Sequence, residues 1–335
     1  MSATNGKNGF ELVRKPSSAG EKTALGTKHI LSGMVADTLA QPRVEDAEAL
    51  FNRGSDYYCG NKVPLNYTMA AKSFREAAEK GHAAAQCRLG DCYQFGQGVE
   101  KDDLEAVKWY RKAAEQNHAV AQYDLGDCYL SGTGVEKDEV EAVKWYRKAA
   151  EQNYAPAQDA LGSCYRYEHG VPENKTEAVK WYRKAAEQNF AYAQYGLGDC
   201  YACGDGVAQD EAEAAKWYLK AAEQNLPDAQ NELGDCYLSG MGVEGDEAEA
   251  VKWYLKAAEQ NYIPAQYRLG FSYRDGQGVL QDFAEAFKWF KLATEHPVQP
   301  FGDSTEELAS LSSTMTPDDL REGERRYQKF RSQRK

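Results

Sequence analysis

The sequence predicts an all-α protein, a solenoid of seven stacked helix-turn-helix units closed by a helical cap at its C-terminal end. Three observations predict it. The first is a period. The pattern A-Q-x-x-L-G starts at Ala85, Ala121, Ala157, Ala193, Ala229 and Ala265, and the starts keep a step of 36 residues. Trp109, Trp145, Trp181, Trp217, Trp253 and Trp289 keep the same step, as do Tyr93, Tyr129, Tyr165, Tyr201, Tyr237 and Tyr273. A fixed period between about 20 and 50 residues marks a stacked repeat rather than independent domains. The second observation is spacing by three and four within each period. The third is a breaker and a cap signal recurring at one place in every period.

Each element follows from residues. In the third unit Ala121, Leu125, Gly126 and Tyr129 share one face of a first helix, and Ala142, Trp145, Tyr146, Ala149 and Ala150 share one face of a second. Between them Ser131-Gly132-Thr133-Gly134-Val135 stops the first helix, glycine supplying the positive φ of the turn. Asp138, followed three residues later by Glu141, reads as a capping box for the second helix. The pair recurs as Asp102/Glu105, Asn174/Glu177, Asp210/Glu213, Asp246/Glu249 and Asp282/Glu285, and only the first unit departs, with Asn66 and Met69. Gly90, Gly126, Gly162, Gly198, Gly234 and Gly270 fall mid-helix, where glycine costs about 1 kcal/mol relative to alanine. A repeated cost implies a repeated gain, which we expect to be close approach of the second helix. No single hairpin buries its own Trp, Tyr and Leu, so stability must come from stacking.

The organisation expected is an N-terminal flexible tail over 1–46, seven repeats over 47–300 and capping helices over 301–335. The repeats divide as 47–84, 85–120, 121–156, 157–192, 193–228, 229–264 and 265–300. The tail is rich in Gly, Ser and Lys, with a short helix conceivable over Leu31 to Leu39. In the cap, Leu308 and Leu311 suggest one helix, and Thr316-Pro317-Asp318-Asp319 starts another with Thr at the N-cap and Pro at the first helical position.

Ala121, Leu125, Gly126, Tyr129, Gly132, Gly134, Val135, Asp138, Ala142, Trp145, Lys148, Ala149 and Ala150 together make the unit resemble the SEL-one-like repeat (SLR), a branch of the tetratricopeptide-like (TPR) superfamily. The resemblance covers about three quarters of the chain, and residues 303–333 resemble the ending of many bacterial members. It implies a right-handed α-solenoid acting as a scaffold or adaptor for other proteins. The fourth unit, with Glu168-His169-Gly170 at the turn, departs from the pattern, so its turn is expected to be locally altered.

Charge and chemistry narrow the function. The chain carries −12 formally, which argues against nucleic acid or an anionic membrane as partner. Residues 1–41 contribute +2 and the cap 0, leaving −14 on residues 42–300. No stretch approaches about 18 consecutive apolar residues, and Met1 to Phe10 lacks the apolar core of a signal peptide, so a cytoplasmic location is expected. Cys92, Cys128, Cys164, Cys200 and Cys236 occupy one repeat position and read as small buried residues. Equivalent positions in stacked units lie about 10 Å apart, too far for a disulfide. Cysteine-rich SLR proteins with a bridged pair in each repeat have been linked to hydrolysis of β-lactams, but the second cysteine of each pair is missing here. Cys200 and Cys203 form an isolated C-x-x-C without a redox or zinc context. No histidine has a second ligand at helical spacing. His82 and His118 share a position that later units fill with Tyr154, Phe190, Leu226 and Tyr262, so that place is expected to want a partly buried ring. The Gly-x-Gly turns follow a helix and no Lys-Ser/Thr succeeds them, unlike a phosphate loop. No catalytic set, metal site or cofactor is therefore expected.

In TPR-type arrays the first helix of each unit lines the concave face. The resemblance places Val120, Tyr123, Asp127, Leu130 and Ser131 inward. Across the array the central position reads Asp91, Asp127, Ser163, Asp199, Asp235 and Phe271, and the preceding one Cys87, Tyr123, Asp159, Tyr195, Asn231 and Tyr267. The candidate partner-binding residues are Asp91, Tyr123, Asp127, Leu130, Tyr195, Asp199, Asp235 and Tyr267. An acidic, tyrosine-lined groove suits a basic or amphipathic protein segment. The competing reading of the aspartates is a solvated face copied by duplication and neutralised by neighbouring Lys or Arg. Two other functions remain in view: the cysteine-rich SLR hydrolase, and a regulatory subunit docking through its N-terminal tail.

Overall fold

The computed structural model describes residues 46–295 and 304–333. The expected tail therefore lies outside the described residues except for Asp46, and so does the short helix considered over residues 31–39. Sixteen helices and no strand occur among the described residues. They pair as α1 (Ala47–Cys59) with α2 (Tyr67–Glu79), α3 (Ala83–Phe95) with α4 (Asp103–Glu115), α5 (Ala119–Ser131) with α6 (Glu139–Glu151) and α7 (Ala155–Tyr167) with α8 (Lys175–Glu187). The array continues with α9 (Ala191–Cys203) and α10 (Glu211–Glu223), α11 (Pro227–Ser239) and α12 (Glu247–Glu259), and α13 (Ile263–Asp275) and α14 (Phe283–Ala293). Each pair packs on the next, forming a solenoid, and α15 (Ser304–Thr314) and α16 (Pro317–Ser332) pack on α14.

Within a unit, the leucine of the first helix and the tyrosine of the second fill the core. Leu89, Leu125, Leu161, Leu197, Leu233 and Leu269 are at most 1% exposed. The mid-helix glycines do what their repetition implied. A methyl group on Gly126 would lie 2.6 Å from the Tyr146 ring, and the other units repeat that contact at 2.4–2.8 Å. Glycine there lets the second helix seat its aromatic ring flat against the first.

Between units, two devices recur. The second glycine of each turn touches the start of the previous unit's second helix: a methyl group on Gly134 would stand 2.1 Å from the carbonyl oxygen of Asp103. The other is a ladder of amides. Gln122 donates to the carbonyl of Ala114 (3.1 Å) and to Asn117 Oδ1 (3.2 Å), while Gln152 donates to Gln122 Oε1 (2.6 Å). The asparagines at the unit junctions, Asn117, Asn153, Asn189, Asn225 and Asn261, all have φ of 63–67°, a left-handed conformation that Asn tolerates better than most side chains. Asn153 Oδ1 accepts from both Gln158 (3.1 Å) and Gln188 (3.2 Å), so the ladder ties successive units together.

Two expectations are corrected. The capping box is only half formed. Asp138 accepts from the Glu141 amide (2.9 Å), but Glu141 pairs with Lys144 (2.7 Å), and the Asp138 amide donates to the Tyr129 carbonyl (2.9 Å). The Tyr129 carbonyl in the last turn of α5 thus takes the donor the glutamate was expected to satisfy. Asn66 likewise caps α2 through the Met69 amide (3.0 Å), without a glutamate. The fourth turn is not altered: Glu168 adopts φ 60° and ψ 32°, the conformation glycine holds in the other units. Stacking on both sides imposes a conformation that costs a non-glycine residue about 1–2 kcal/mol. The position of His82 and His118 holds a half-buried ring, as expected, and the two histidines also act as N-caps, their Nδ1 atoms accepting from the Ala85 (3.1 Å) and Ala121 (3.3 Å) amides, a role the rings at later units do not fill.

At the C-terminal end, Leu311 and Met315 cover Phe287 and Phe290. Phe330 stands edge-on to Trp289 at 5.2 Å, and Arg326 pairs with Asp282 (2.7 Å) and Glu285 (3.1 Å). Thr316 caps α16 through the Asp319 amide (3.2 Å).

Candidate binding face

All eight sequence-predicted site residues lie on first helices, α3, α5, α9, α11 and α13. Stacking brings equivalent positions into rows, and within a unit Tyr123 sits one turn from Asp127 and Tyr195 one turn from Asp199. The aspartates, however, have work inside the unit. The buried tyrosine of each second helix donates its hydroxyl to them: Tyr110 to Asp91 (2.8 Å), Tyr146 to Asp127 (2.7 Å), Tyr218 to Asp199 (2.9 Å), and Tyr254 to Asp235. Ser163 and Tyr182 make the same link at 3.0 Å. A tyrosine buried in this core needs a partner for its hydroxyl, and the aspartate supplies it.

Arginines partly compensate the row. Arg166 reaches Asp199 at 3.3 Å, Arg268 reaches Asp235 at 2.9 Å and Arg88 reaches Asp91 at 3.2 Å. These aspartate side chains remain 14–23% exposed, so the row is recessed rather than fully solvated. Burial raises the Asp199 carboxyl above its ordinary value even against Tyr218 and Arg166.

The aromatic row packs on the same tyrosines. Tyr123 lies 5.7 Å from Tyr146 and 5.8 Å from Tyr154, and Tyr195 lies 5.9 Å from Tyr218. Tyr267 meets Phe271 edge-on at 4.7 Å. Leu130 is half-buried against the cluster holding Tyr146 and Leu161.

Two acids stand out. Asp159, in the row of Tyr123 and Tyr195, has no hydrogen-bond or ion-pair partner among the described residues, and burial pushes its carboxyl up to about 7. Glu232 is also pushed up to about 7, first by burial and then by the charge of Asp235. Its one hydrogen bond is a 3.4 Å contact from Asn231. Sequence reasoning missed Glu232, because its column runs Arg88, Asp124, Ala160, Gly196, Glu232, Arg268 and shows no repeat. Neutralisation of the aspartates by neighbouring Lys or Arg belonged to the competing reading, but Arg88, Arg166 and Arg268 occupy columns without a repeat, so the sequence did not single them out.

The cysteines are free thiols, six of them buried. Burial drives the Cys92 and Cys164 thiols up to about 12 and those of Cys200 and Cys236 to about 11, which keeps them protonated and unreactive. Cys87, Asp91 and Asp124 each place a potential ligand atom within 4.8 Å of the others, a juxtaposition the sequence did not reveal. The set is already bonded internally: Cys87 donates to Asp124 (3.6 Å), while Asp91 holds Tyr110 and Arg88. The Cys87 thiol is held well above its ordinary pKa by burial and the two carboxylates.

Seven helix pairs sharing one first-helix face define an α-solenoid repeat protein. The model of the Sel1 repeat matches seven times, at residues 47–82, 83–118, 119–154, 155–190, 191–226, 227–262 and 263–297, and the chain belongs to the Sel1 repeat family. Proteins of this family are generally non-catalytic scaffolds for protein interaction. A Sel1 repeat protein from Oxalobacter formigenes is similar in structure, with a TM-score of 0.68 and 37% identity over 75% of this chain and 99% of that one. A protective antigen of uropathogenic Escherichia coli with an SLR fold gives a TM-score of 0.47 and 28% identity, over 85% of this chain and 84% of that one. A curated Neisseria meningitidis serogroup B protein, itself uncharacterized, is 41% identical over 56 residues, 17% of this chain. The chain spans 12% of that relative's length. No described helix is long and apolar enough to cross a membrane.

Proposed function

We propose that the first-helix face forms a concave groove that binds a basic or amphipathic segment of another protein, the chain acting as a non-catalytic adaptor. The observation that carries this reading is the pair of uncompensated carboxyls, Asp159 and Glu232, on first helices of the array and one turn or less away in register from the column that holds Asp127, Asp199 and Asp235. A half-buried carboxyl without a cation is destabilised as an anion, and a lysine or arginine brought by a partner relieves that penalty. The tyrosines beside these acids offer the rigid amphipathic surface that anchors contacts. The −14 over residues 42–300 favours the same class of partner and disfavours nucleic acid and anionic membrane.

The test keeps the fold. Changing Asp127, Asp199 and Asp235 together to Asn preserves an acceptor for each tyrosine hydroxyl and removes only charge. Affinity purification with quantitative mass spectrometry should show the wild-type chain retaining a set of proteins with basic segments. The triple variant should lose them at least about tenfold, with an unchanged circular dichroism spectrum. An identical set on both proteins would reject the groove.

A further inference from the structure

The array changes character where the sixth unit meets the seventh. Phe271 stands where four other units carry aspartate, and Phe290 stands where they carry tyrosine. The hydroxyl-carboxylate bond is thereby replaced by an edge-to-face pair of rings, 5.2 Å apart at 88°. Tyr267 closes on both rings, at 4.7 and 5.9 Å. Between α11 and α13 this leaves a cleft of about 340 Å³ walled by Leu238, Tyr254, Tyr267 and Phe271, with Arg268 and Asp275 among its polar lining residues. That size lies at the small end of ligand-holding pockets, large enough for one bulky apolar side chain.

The surroundings specify the charge of what enters. The basic groups are already paired, Arg268 with Asp235 (2.9 Å), and Arg274 with Asp275 (2.8 Å) and Glu307 (2.8 Å). The acceptors are in excess. Glu232, which feels the charges of both Asp235 and Arg268, has no cation of its own. Beside it Asn231, 4% exposed, donates its amide to Glu232 and leaves Oδ1 buried with no donor. A buried acceptor without a partner costs about 1–3 kcal/mol, and a carboxylate next to it adds to the demand for a donor cation.

We propose that this cleft is the anchor point of the groove and takes a partner segment that carries a large apolar side chain close to a lysine or arginine. The apolar side chain seats between Leu238, Tyr267 and Phe271, and the cation meets Glu232. The proposal rests on the reading of the first-helix face as a binding groove and adds to it a location and a sequence preference.

Three fluorescein-labelled peptides in one Gly-Ser background test it by anisotropy with the full chain. They carry Phe and Lys, Ala and Lys, or Phe and Glu, the paired residues separated by two positions. The Phe-Lys peptide should bind at least about tenfold more tightly than either of the others. The double variant F271D/F290Y rebuilds the aspartate-tyrosine pair of the other units, so it retains a proven packing while filling the cleft with polar groups. It should lose at least about tenfold for the Phe-Lys peptide, and E232Q should lose the discrimination between Lys and Glu. Equal binding of the three peptides, no binding at about millimolar concentration, or unchanged binding by F271D/F290Y would overturn the cleft. Loss of partner capture by the triple Asp-to-Asn variant would in that case leave the wider groove reading standing. A full chain in which Lys7, Arg14, Lys15, Lys22 and Lys28 are all Gln distinguishes the remaining occupant. If that chain bound the Phe-Lys peptide tenfold more tightly, the chain's own N-terminal segment would be the occupant and the proposal would fall.

Discussion

Gly134→Ala is expected to be among the most damaging single substitutions in the array. Gly134 has φ 69°, a conformation that costs a residue with a Cβ about 1–2 kcal/mol. The added methyl group would also stand 2.1 Å from the Asp103 carbonyl oxygen and 2.5 Å from its carbon. Both are backbone atoms of the preceding unit, so neither can rotate aside, and the contact between the second and third units must open. Overpacking of this kind typically adds 1–3 kcal/mol and can exceed it. A total on the order of 2–5 kcal/mol follows. Because a repeat array is held by nearest-neighbour interfaces, the loss should fall on one junction and split guanidinium unfolding into two phases. Gly132→Ala is the control. Its φ is 76°, but its nearest neighbour is the Lys137 Cβ at 3.4 Å, so it should lose only the conformational part. Equal destabilisation by the two variants would show that Gly134 does not clamp the junction.

Asp159→Asn is expected to stabilise the protein, and only at neutral and alkaline pH. The Asp159 carboxyl sits at about 7 in the folded chain against an ordinary 3.8, because it is buried without a cation. Below about pH 4 both folded and unfolded chains hold the proton and the residue is neutral in its effect. As pH rises from about 4 to 7 the unfolded chain releases the proton while the folded chain retains it, so stability is lost across that window and stays lost above it. Three pH units correspond to about 4 kcal/mol, which partial exposure to solvent reduces to about 2–4 kcal/mol. Asparagine is tolerated here, since Asn231 occupies the same position in the sixth unit. Denaturant titrations should therefore give a variant more stable than wild type at about pH 8, with the difference gone by about pH 4. A difference independent of pH would mean that the carboxyl is not held in its protonated form by burial.

The fold was legible because one unit is written seven times. The columns of Leu125, Tyr129, Trp145 and their equivalents locate both helices, and the glycines and Asp138 locate the break between them. What stayed hidden are contacts between columns. Asp127 and Tyr146 each repeat plainly, yet nothing in a 19-residue separation says that one holds the other's hydroxyl. That bond depends on how the two helices cross. It changes the meaning of the aspartates: they are partly structural, and their charge toward a partner is what remains after the tyrosines and arginines are served. Gln122 donates to Asn117 and accepts from Gln152 at the end of α6, links that no single column reveals. Glu232 and Asp159 were the least legible in their effect. Their neutralising partners are missing, and a missing partner is visible only once the neighbours are placed.

Which face a captured partner covers is the central question, and hydroxyl-radical footprinting with mass spectrometric readout answers it directly. The bound complex should show slowed oxidation at Tyr123, Tyr195 and Tyr267 on the first helices. Tyr67, exposed on α2, should react as it does in the free chain. Protection confined to Tyr67 and other second-helix or tail residues, with the three first-helix tyrosines reacting as before, would contradict the account.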